Sequence, residues 1–459
     1  MISEMMAAGL AAIVSPGLGM LITAYALVTA KDMVQKIILL ITIASLLFTQ
    51  TKRNSVLILI SVLGMMMFLS SQNWLMLYFA WEIMSITSYL LINSSNEFNK
   101  QAARKVFTLN RISGLFMLGA VGMIYSQSMS FEFGVIPPTA ALLMVIAGMI
   151  KSSQFPFFWL KDAARAPTPV SALIHSVTSV AVGPLLLNRF SINFIFLSGL
   201  IIPWALISIV AAAILALGSE NQKQVLSYST IINLAFLFSL FNSEFFLAAF
   251  LVHALVKSAY FLLIESYSHD TNYALSLGFS PKSLEGLFSL FFIFSLSGAP
   301  LFGLYWFKMG DLSSAVITFL SLIYFFKLFK ETFSGQMTPP RNWKTLIPMG
   351  LGMLSIAFYR LGVPRPESLV VFFGATVMAY KIFPLNAVSV LGDHVRRLKE
   401  WTFGEISPPE RYLEEWAHGV GKRTNQLSEG INHTFSGDIR RDVSYIAAGL
   451  AVLLMGVII

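Results

Sequence analysis

The chain has 459 residues, of which 56% are hydrophobic and 12% are charged, whereas about a quarter of the residues in a soluble domain are charged. A chain this poor in charge cannot supply the surface of a soluble core of this length, which excludes a cytosolic enzyme, a nucleic-acid-binding protein and a disordered protein. Its apolar runs are long and continuous rather than alternating, so we predict an all-α polytopic membrane protein and not a transmembrane β-barrel.

About 15 apolar runs approach the length of about 20 residues that a transmembrane helix needs. The first, Ala7–Val28, is too long for the apolar part of a signal peptide and has no small-residue cleavage site, so we interpret it as a retained first helix. The run at 285–307 contains the helix-breaking residues Gly298, Pro300 and Gly303. The runs lie at 7–29, 36–50, 55–71, 73–93, 105–125, 137–155, 169–190, 195–217, 224–241, 244–265, 285–307, 312–329, 345–361, 367–383 and 442–459.

Basic residues in the connecting loops predict the orientation in the membrane, because Lys and Arg accumulate in cytoplasmic loops. Loops after even-numbered runs contain Lys52, Arg53, Lys100, Arg104, Lys105, Lys161, Arg165, Lys223, Lys282, Lys330, Arg341 and Lys344. Loops after odd-numbered runs contain only Lys31, Lys36, Arg189, Arg360 and Arg365. We therefore expect the even-numbered loops and the N-terminus to face the cytoplasm, and the C-terminus to lie outside.

The stretch Pro384–Arg441 differs from the rest, with 16 charged residues among 58. Within it, Tyr412, Trp416, Val420, Leu427 and Ile431 fall close to one helical face. This pattern favours an amphipathic segment along the cytoplasmic surface, interrupted at Pro408-Pro409 and followed by a C-terminal transmembrane anchor at 442–459. The alternative is a solvated loop with a tail anchor.

A few ionisable side chains lie inside the apolar runs or at their ends, where a charge costs several kcal/mol. They are Glu82, Lys151, His175, His253, Lys257 and Lys308. Each has a simpler explanation: a lysine near a helix end can extend to the headgroups, a histidine can be a hydrogen-bonded packing residue, and a buried glutamate can stay protonated. Their recurrence favours function, because Lys151 precedes Gln154-Phe155-Pro156 and Lys308 follows Ser297–Gly303, both of which break helices.

A weak internal repeat accompanies these charges, since Pro156–Lys161 resembles Pro300–Lys308 and each follows an interrupted apolar run. We predict two structural repeats, each with a broken helix and a titratable group.

The sequence resembles the antiporter-like membrane subunits that are shared by respiratory complex I, Mrp-type cation/proton antiporters, and archaeal membrane-bound hydrogenase and sulfane sulfur reductase complexes. The resemblance covers roughly residues 74–310. It rests on Trp81–Ile92, Asn110-Arg111, Lys151–Phe157, Pro167–His175, Lys223–Thr230, His253–Lys257 and Ser297–Pro300, in the family's order.

The resemblance implies that Glu82, Lys151, His175, His253, Lys257 and Lys308 form a proton relay near the middle of the membrane. It also implies two inverted repeats, a C-terminal lateral amphipathic helix that braces neighbouring subunits, and a last anchoring helix. We divide the chain into N-terminal helices (1–72), a first repeat (73–190), a second repeat (195–330), peripheral helices (345–383), the lateral segment (384–441) and the anchor (442–459).

Three departures from the family pattern concern the start of the chain and the first repeat. The N-terminus looks one helix shorter, Phe158 replaces a histidine, and Thr178-Ser179-Val180-Ala181 has Ala181 where many relatives have a polar residue. Conduction through the first half-channel is therefore less assured than in the family.

The resemblance implies a proton- or sodium-translocating subunit of a multisubunit redox complex in the cell membrane. The chain has no cysteine, which excludes Cys-ligated zinc and iron–sulfur clusters, so we expect no cofactor in it and electron transfer in partner subunits. Other antiporter-like and small membrane subunits are the expected neighbours, with iron–sulfur subunits as indirect partners and no nucleic acid. Two alternatives stay open: a subunit of a stand-alone Mrp-type Na⁺/H⁺ antiporter, and a structural arm whose relay has decayed.

Overall fold

The computed structural model describes residues 1–93, 97–219, 222–265, 283–298 and 343–359, together with the single positions 304, 328, 332 and 333. This part of the chain is helical, and its only β pairing is one isolated bridge between Asn73 and Glu132. The α-helices are α1 (Ile2–Val14), α2 (Pro16–Thr29), α3 (Met33–Phe48), α4 (Lys52–Ser70), α5 (Trp74–Ile92), α6 (Glu97–Ser128), α7 (Pro138–Lys151), α8 (Leu160–Ala163), α9 (Thr168–Ile174), α10 (Val182–Arg189), α11 (Ser191–Phe194), α12 (Ser198–Leu217), α13 (Gln222–Ser239), α14 (Phe246–Glu265), α15 (Leu284–Ser297) and α16 (Leu346–Leu354).

Five helical stretches among these residues are long and apolar enough to cross a membrane. They are Lys52–Ser70, Trp74–Ile92, Lys100–Ser128, Ser191–Leu217 and Phe246–Glu265. The prediction of an all-helical protein with many apolar helices is confirmed for this part of the chain. The total of about 15 spans stays a prediction, because the runs at 312–329, 367–383 and 442–459 lie outside the described residues apart from position 328.

The first apolar run, predicted as one helix over 7–29, is two helices instead. Ser15 is extended, with φ of −149°, because a residue that precedes proline is driven out of the helical region. The chain then turns back on itself: a Cβ atom on Gly19 would lie 2.7 Å from the Cβ atom of Ala12 and 2.9 Å from the carbonyl oxygen of Ala8. Small residues at all three positions let α1 and α2 pack closely.

Polar side chains hold the ends of the next helices. Asp32, Thr51 and Asn73 accept hydrogen bonds from the first turns of α3, α4 and α5 respectively. At the other end of α4, the Arg189 guanidinium donates to the carbonyl oxygens of Phe68 and Ser71. These bonds satisfy helix-end groups that would otherwise be costly within an apolar bundle.

The run predicted as one helix over 169–190 is also divided, into α9 and α10 with an irregular segment at 175–181. Hydroxyl groups in that segment bond to nearby backbone, as when Thr178 Oγ1 donates to the Leu173 carbonyl at 3.1 Å. Pro184 in the first turn of α10 has no N–H for the Val180 carbonyl. The Ser152 hydroxyl donates to that carbonyl at 2.7 Å instead.

α13 and α14 occupy the interior of the bundle. Every residue of α14 from Phe250 to Ile264 is buried, and α13 is buried continuously from Val225 to Phe238. A helix that is apolar and buried all round belongs to the core of a bundle. Polar and charged side chains on these two helices therefore face protein rather than lipid.

Candidate functional site

Glu82 on α5 forms an ion pair with Arg111 on the neighbouring helix α6. The carboxyl group is buried, with 9% of the residue exposed, and α6 approaches it closely at Gly114. A Cβ atom on Gly114 would collide with the Glu82 carboxylate. The glycine therefore provides the space in which this carboxylate lies beside its cation.

Lys151 is the last residue of α7 and is fully buried. Its ammonium group donates to the Trp81 carbonyl at 3.2 Å and to the Ser85 hydroxyl, and it lies 5.4 Å from the centre of the Trp81 ring. Trp81 and Ser85 flank Glu82 on α5, so the structure brings the lysine to the turn of helix that bears the glutamate. Among the described residues, the ion pair of Glu82 is with Arg111 and none joins it to Lys151.

A second chain of hydrogen bonds fixes the three helices around this cluster. The Trp81 indole N–H donates to the Ser113 hydroxyl at 3.2 Å, and that hydroxyl donates to the Ala147 carbonyl at 2.8 Å. One buried hydroxyl thus links α5, α6 and α7. The lysine at the end of α7 is held in a defined position relative to Glu82.

The chain after Lys151 leads from this cluster to α13. The predicted interruption at Gln154-Phe155-Pro156 is confirmed, because α7 ends at Lys151 and the next helix begins at Leu160. The Gln154 side chain donates to the Ile231 carbonyl of α13 at 3.5 Å. Gln154 therefore reaches the helix that contacts the next ionisable residue.

His175 lies at the end of α9, fully buried between α13 and α14. Its Nδ1 atom is 3.4 Å from the Thr230 hydroxyl, and its ring packs on Phe261 with the ring centres 4.7 Å apart. Its Nε2 atom has no hydrogen-bond partner within the described part of the chain, and neither has the side-chain amide of Asn233, one turn beyond Thr230. Buried polar atoms without protein partners indicate sites for internal water.

Lys257 and His253 are buried one turn apart on α14. The Lys257 ammonium donates to the Leu226 carbonyl at 3.0 Å and to the Ser229 hydroxyl, both on α13. The same two helices contact His175, which packs on Phe261 of α14 and lies next to Thr230 of α13, so all three groups lie between α13 and α14. Lys308, the last residue of the predicted relay, lies outside the described residues.

Four residues that complete these clusters are not among the predicted relay residues: Arg111, Ser85, Ser229 and Thr230. All four lie inside the quoted family stretches. Arg111 could have been found as a charge within the apolar run at 105–125, whereas serine and threonine are too common in such runs for the sequence to mark the other three. Ser85 lies one turn beyond Trp81 on the helix of Glu82. In the described ranges, no group of three or more His, Asp or Glu side chains is arranged to hold a metal ion.

A known family matches residues 71–334, which is more than half of the chain. The family is described as NADH:quinone oxidoreductase/Mrp antiporter, transmembrane. NADH-quinone oxidoreductase subunit L of Buchnera aphidicola (subspecies Acyrthosiphon pisum, strain APS) is 30% identical over 318 residues, which cover 60% of this chain and 52% of that protein. The chain thus spans about half the length of this curated relative.

Two solved structures share the fold. A chain of the membrane-bound sulfane sulfur reductase, an archaeal respiratory membrane complex, matches with a TM-score of 0.70 and 17% identity, covering 99% of each chain. A chain of the Mrp complex from Dietzia sp. DQ12-45-1b matches with a TM-score of 0.65 and 20% identity, covering 100% of this chain and 61% of that one. The predicted resemblance to these antiporter-like subunits is confirmed.

Proposed function

The chain belongs to the NADH:quinone oxidoreductase/Mrp antiporter transmembrane family, and from that premise we propose that it is an ion-translocating, antiporter-like subunit of a multisubunit membrane redox complex. The ion is a proton, with sodium as the other candidate. The single observation that carries the proposal is the presence of two fully buried lysines, Lys151 at the end of α7 and Lys257 on the interior helix α14.

Burial of a lysine ammonium costs several kcal/mol, and an apolar residue of similar size would pack at no such cost. Neither lysine forms an ion pair in the part of the chain that the structure describes, so no carboxylate in direct contact offsets this cost. What a lysine offers over an apolar residue is a proton that it can gain and lose. We therefore assign Lys151 and Lys257 as proton carriers.

Glu82 is the group that changes the proton state of Lys151 in this proposal. When its carboxylate pairs with Arg111, the contacts of the Lys151 ammonium are two neutral oxygens and the Trp81 ring. If the carboxylate turns towards Lys151, the opposite charge favours the ammonium form. Movement of the Glu82 carboxylate between Arg111 and Lys151 thus makes Lys151 gain and lose its proton.

The proton then passes from Lys151 towards His175 and on to His253 and Lys257, and Lys308 is the proposed last station. Two observations support internal water between the clusters. The Gln154 side chain reaches the Ile231 carbonyl, and polar atoms of His175 and Asn233 have no partner among the described residues. Titration of such interacting groups belongs to the set and not to one residue.

Partner subunits supply the redox chemistry in this proposal, and the chain itself binds no cofactor. The segment Gly392–Thr434 and the anchor Val443–Ile459 lie outside the described residues. We propose that the segment lies on the cytoplasmic face and braces a neighbouring subunit, since its charge density does not fit a membrane span and a helix of about 40 residues reaches about 60 Å.

The other candidate is a subunit of a stand-alone Mrp-type antiporter, which the fold similarity to the Dietzia complex supports. The subunits that copurify with the tagged native protein distinguish the two. Iron–sulfur or nickel–iron subunits support the redox complex, and small membrane subunits alone support the antiporter.

The proposed function is tested by Lys151→Ala in the complex reconstituted into vesicles with an internal pH dye. Loss of a positioned proton carrier is expected to lower proton flux by about 100-fold or more. Lys52→Ala, which removes an exposed lysine at the start of α4, is the matched control and should leave the flux unchanged. Equal flux in both variants contradicts the relay and supports a structural arm.

A further inference from the structure

The two buried lysines have the same surroundings on different helices. At the first lysine site (Lys151, Trp81 and Ser85), the ammonium donates to the Ser85 hydroxyl and to the Trp81 carbonyl at 3.2 Å. The Ser85 hydroxyl donates its own proton to that same carbonyl at 2.9 Å. The ammonium, the hydroxyl and the carbonyl thus form a closed triangle.

The second lysine site (Lys257, Leu226 and Ser229) repeats this arrangement. Lys257 donates to the Ser229 hydroxyl and to the Leu226 carbonyl at 3.0 Å, and the hydroxyl donates to that carbonyl at 2.9 Å. These are the only hydrogen bonds that either ammonium makes to the described residues. Each lysine therefore depends on one hydroxyl and one carbonyl.

The direction of the hydroxyl proton determines which form of lysine the site fits. When the serine hydroxyl donates its hydrogen bond to the carbonyl, the serine oxygen presents only lone pairs to the lysine. The site then offers two acceptors and no donor. An ammonium group fits two acceptors, and its bonds are strengthened by its charge. A neutral amine needs a donor for its lone pair, which the hydroxyl supplies only after rotating away from the carbonyl.

We propose that Ser85 and Ser229 are positioning residues whose hydroxyl groups hold Lys151 and Lys257 in the ammonium form and release them by rotation. This inference rests on the proposed function, because it concerns how readily each proposed carrier gives up its proton. The serines do not carry the proton themselves; they act through the lysines.

The test replaces each serine in the complete complex and measures proton flux into vesicles against pH. Ser85→Ala and Ser229→Ala each remove one of two acceptors, so the lysine loses its proton at lower pH. The alkaline limb of the flux profile is expected to move to lower pH by about one unit, which is what one charge-assisted hydrogen bond provides. Removal of a helical hydroxyl that bonds to its own helix does not harm the helix.

Two controls separate this role from packing. Ser88→Ala on α5 and Ser227→Ala on α13 remove buried hydroxyls that donate to backbone carbonyls of their own helices, those of Met84 and Lys223, and accept no bond from a lysine ammonium in the described residues. The profile should not move in either variant. Ser85→Thr keeps the hydroxyl and should retain the wild-type profile. Ser85→Val has the same shape as the threonine variant without the hydroxyl and should reproduce the shift, even if the alanine variant fails to assemble.

The outcomes distinguish the role of the two hydroxyls from the proposed function. An unchanged pH profile in the Ser85→Ala and Ser229→Ala variants, with flux still abolished by Lys151→Ala, overturns the role of the hydroxyls and leaves the proposed function intact. Retention of full flux by Lys151→Ala and Lys257→Ala overturns the proposed function itself. A shift of equal size with Ser85→Thr and Ser85→Val shows that shape and not the hydroxyl is responsible, which also overturns the inference.

Discussion

Glu82 lies near two cations, Arg111 and Lys151. The position of its carboxylate depends on Gly114, which has no side chain. Arg111 forms the ion pair with the carboxylate, while Lys151 contacts Trp81, one residue before Glu82, and Ser85, one turn after it. Gly114 provides the space for the carboxylate. In the proposed function, displacement of this one group changes which cation it meets.

Gly114→Ala tests that point directly. The new Cβ atom collides with the Glu82 carboxylate, so we expect the carboxylate to move and the proton flux to fall by about tenfold to a hundredfold. Helix stability should not fall, because alanine favours a helix more than glycine does. Flux per complex and the apparent Tm are the two measurements.

Gly122→Ala on the same helix is the control, since a Cβ atom there meets no heavy atom within 4 Å. Full flux in the Gly114→Ala variant would show that the position of the carboxylate does not matter.

The sequence could identify the costly charges but not their partners. Glu82, Lys151, His175, His253 and Lys257 stand out because ionisable groups are rare in apolar runs. Serines are common in such runs and usually bond to their own helix, so nothing in the sequence marks Ser85 or Ser229. Only the fold shows which hydroxyls face a lysine.

At the scale of elements, one carbonyl in the segment between α9 and α10 depends on the Ser152 hydroxyl for its hydrogen bond. Pro184 leaves the Val180 carbonyl without its helical donor, and Ser152, next to Lys151, supplies a proton to it. A proline in an apolar run indicates a possible break, but the sequence does not show whether tertiary contacts satisfy the freed carbonyl. For this reason the run at 169–190 was predicted as one helix.

Ser152→Ala should lower the apparent Tm of the purified complex, because a buried carbonyl without a partner costs about 1–3 kcal/mol. Pro184→Ala restores an N–H group to α10 that can bond to Val180. The double variant should therefore recover part of the loss, which a double-mutant cycle measures.

Ser126→Ala, which removes an exposed hydroxyl on α6, is the control for loss of a serine. Strictly additive changes in Tm would contradict the link between Ser152 and Pro184.

At the scale of the whole molecule, loop charges predict the orientation of the bundle. The chain has no cysteine, so a single introduced cysteine reports its own position without interference. Val135, which is 89% exposed in the loop before α7, should face outside, and Lys52 should face the cytoplasm.

An impermeant maleimide applied to intact cells should therefore label the Val135→Cys variant. The Lys52→Cys variant should react only after the cells are permeabilised. The opposite pattern of labelling would invert the predicted orientation.

The reversal of the chain at Ser15 changes how the membrane crossings are counted. A pair of helices that folds back on itself contributes an even number of crossings, whatever its depth in the bilayer, so Met1 and Ala30 face the same side. The sequence count treated this run as one crossing and placed the N-terminus in the cytoplasm. With an even contribution and unchanged loop charges, we expect the N-terminus on the outer side with Val135 and every helix from α3 onwards in its predicted direction.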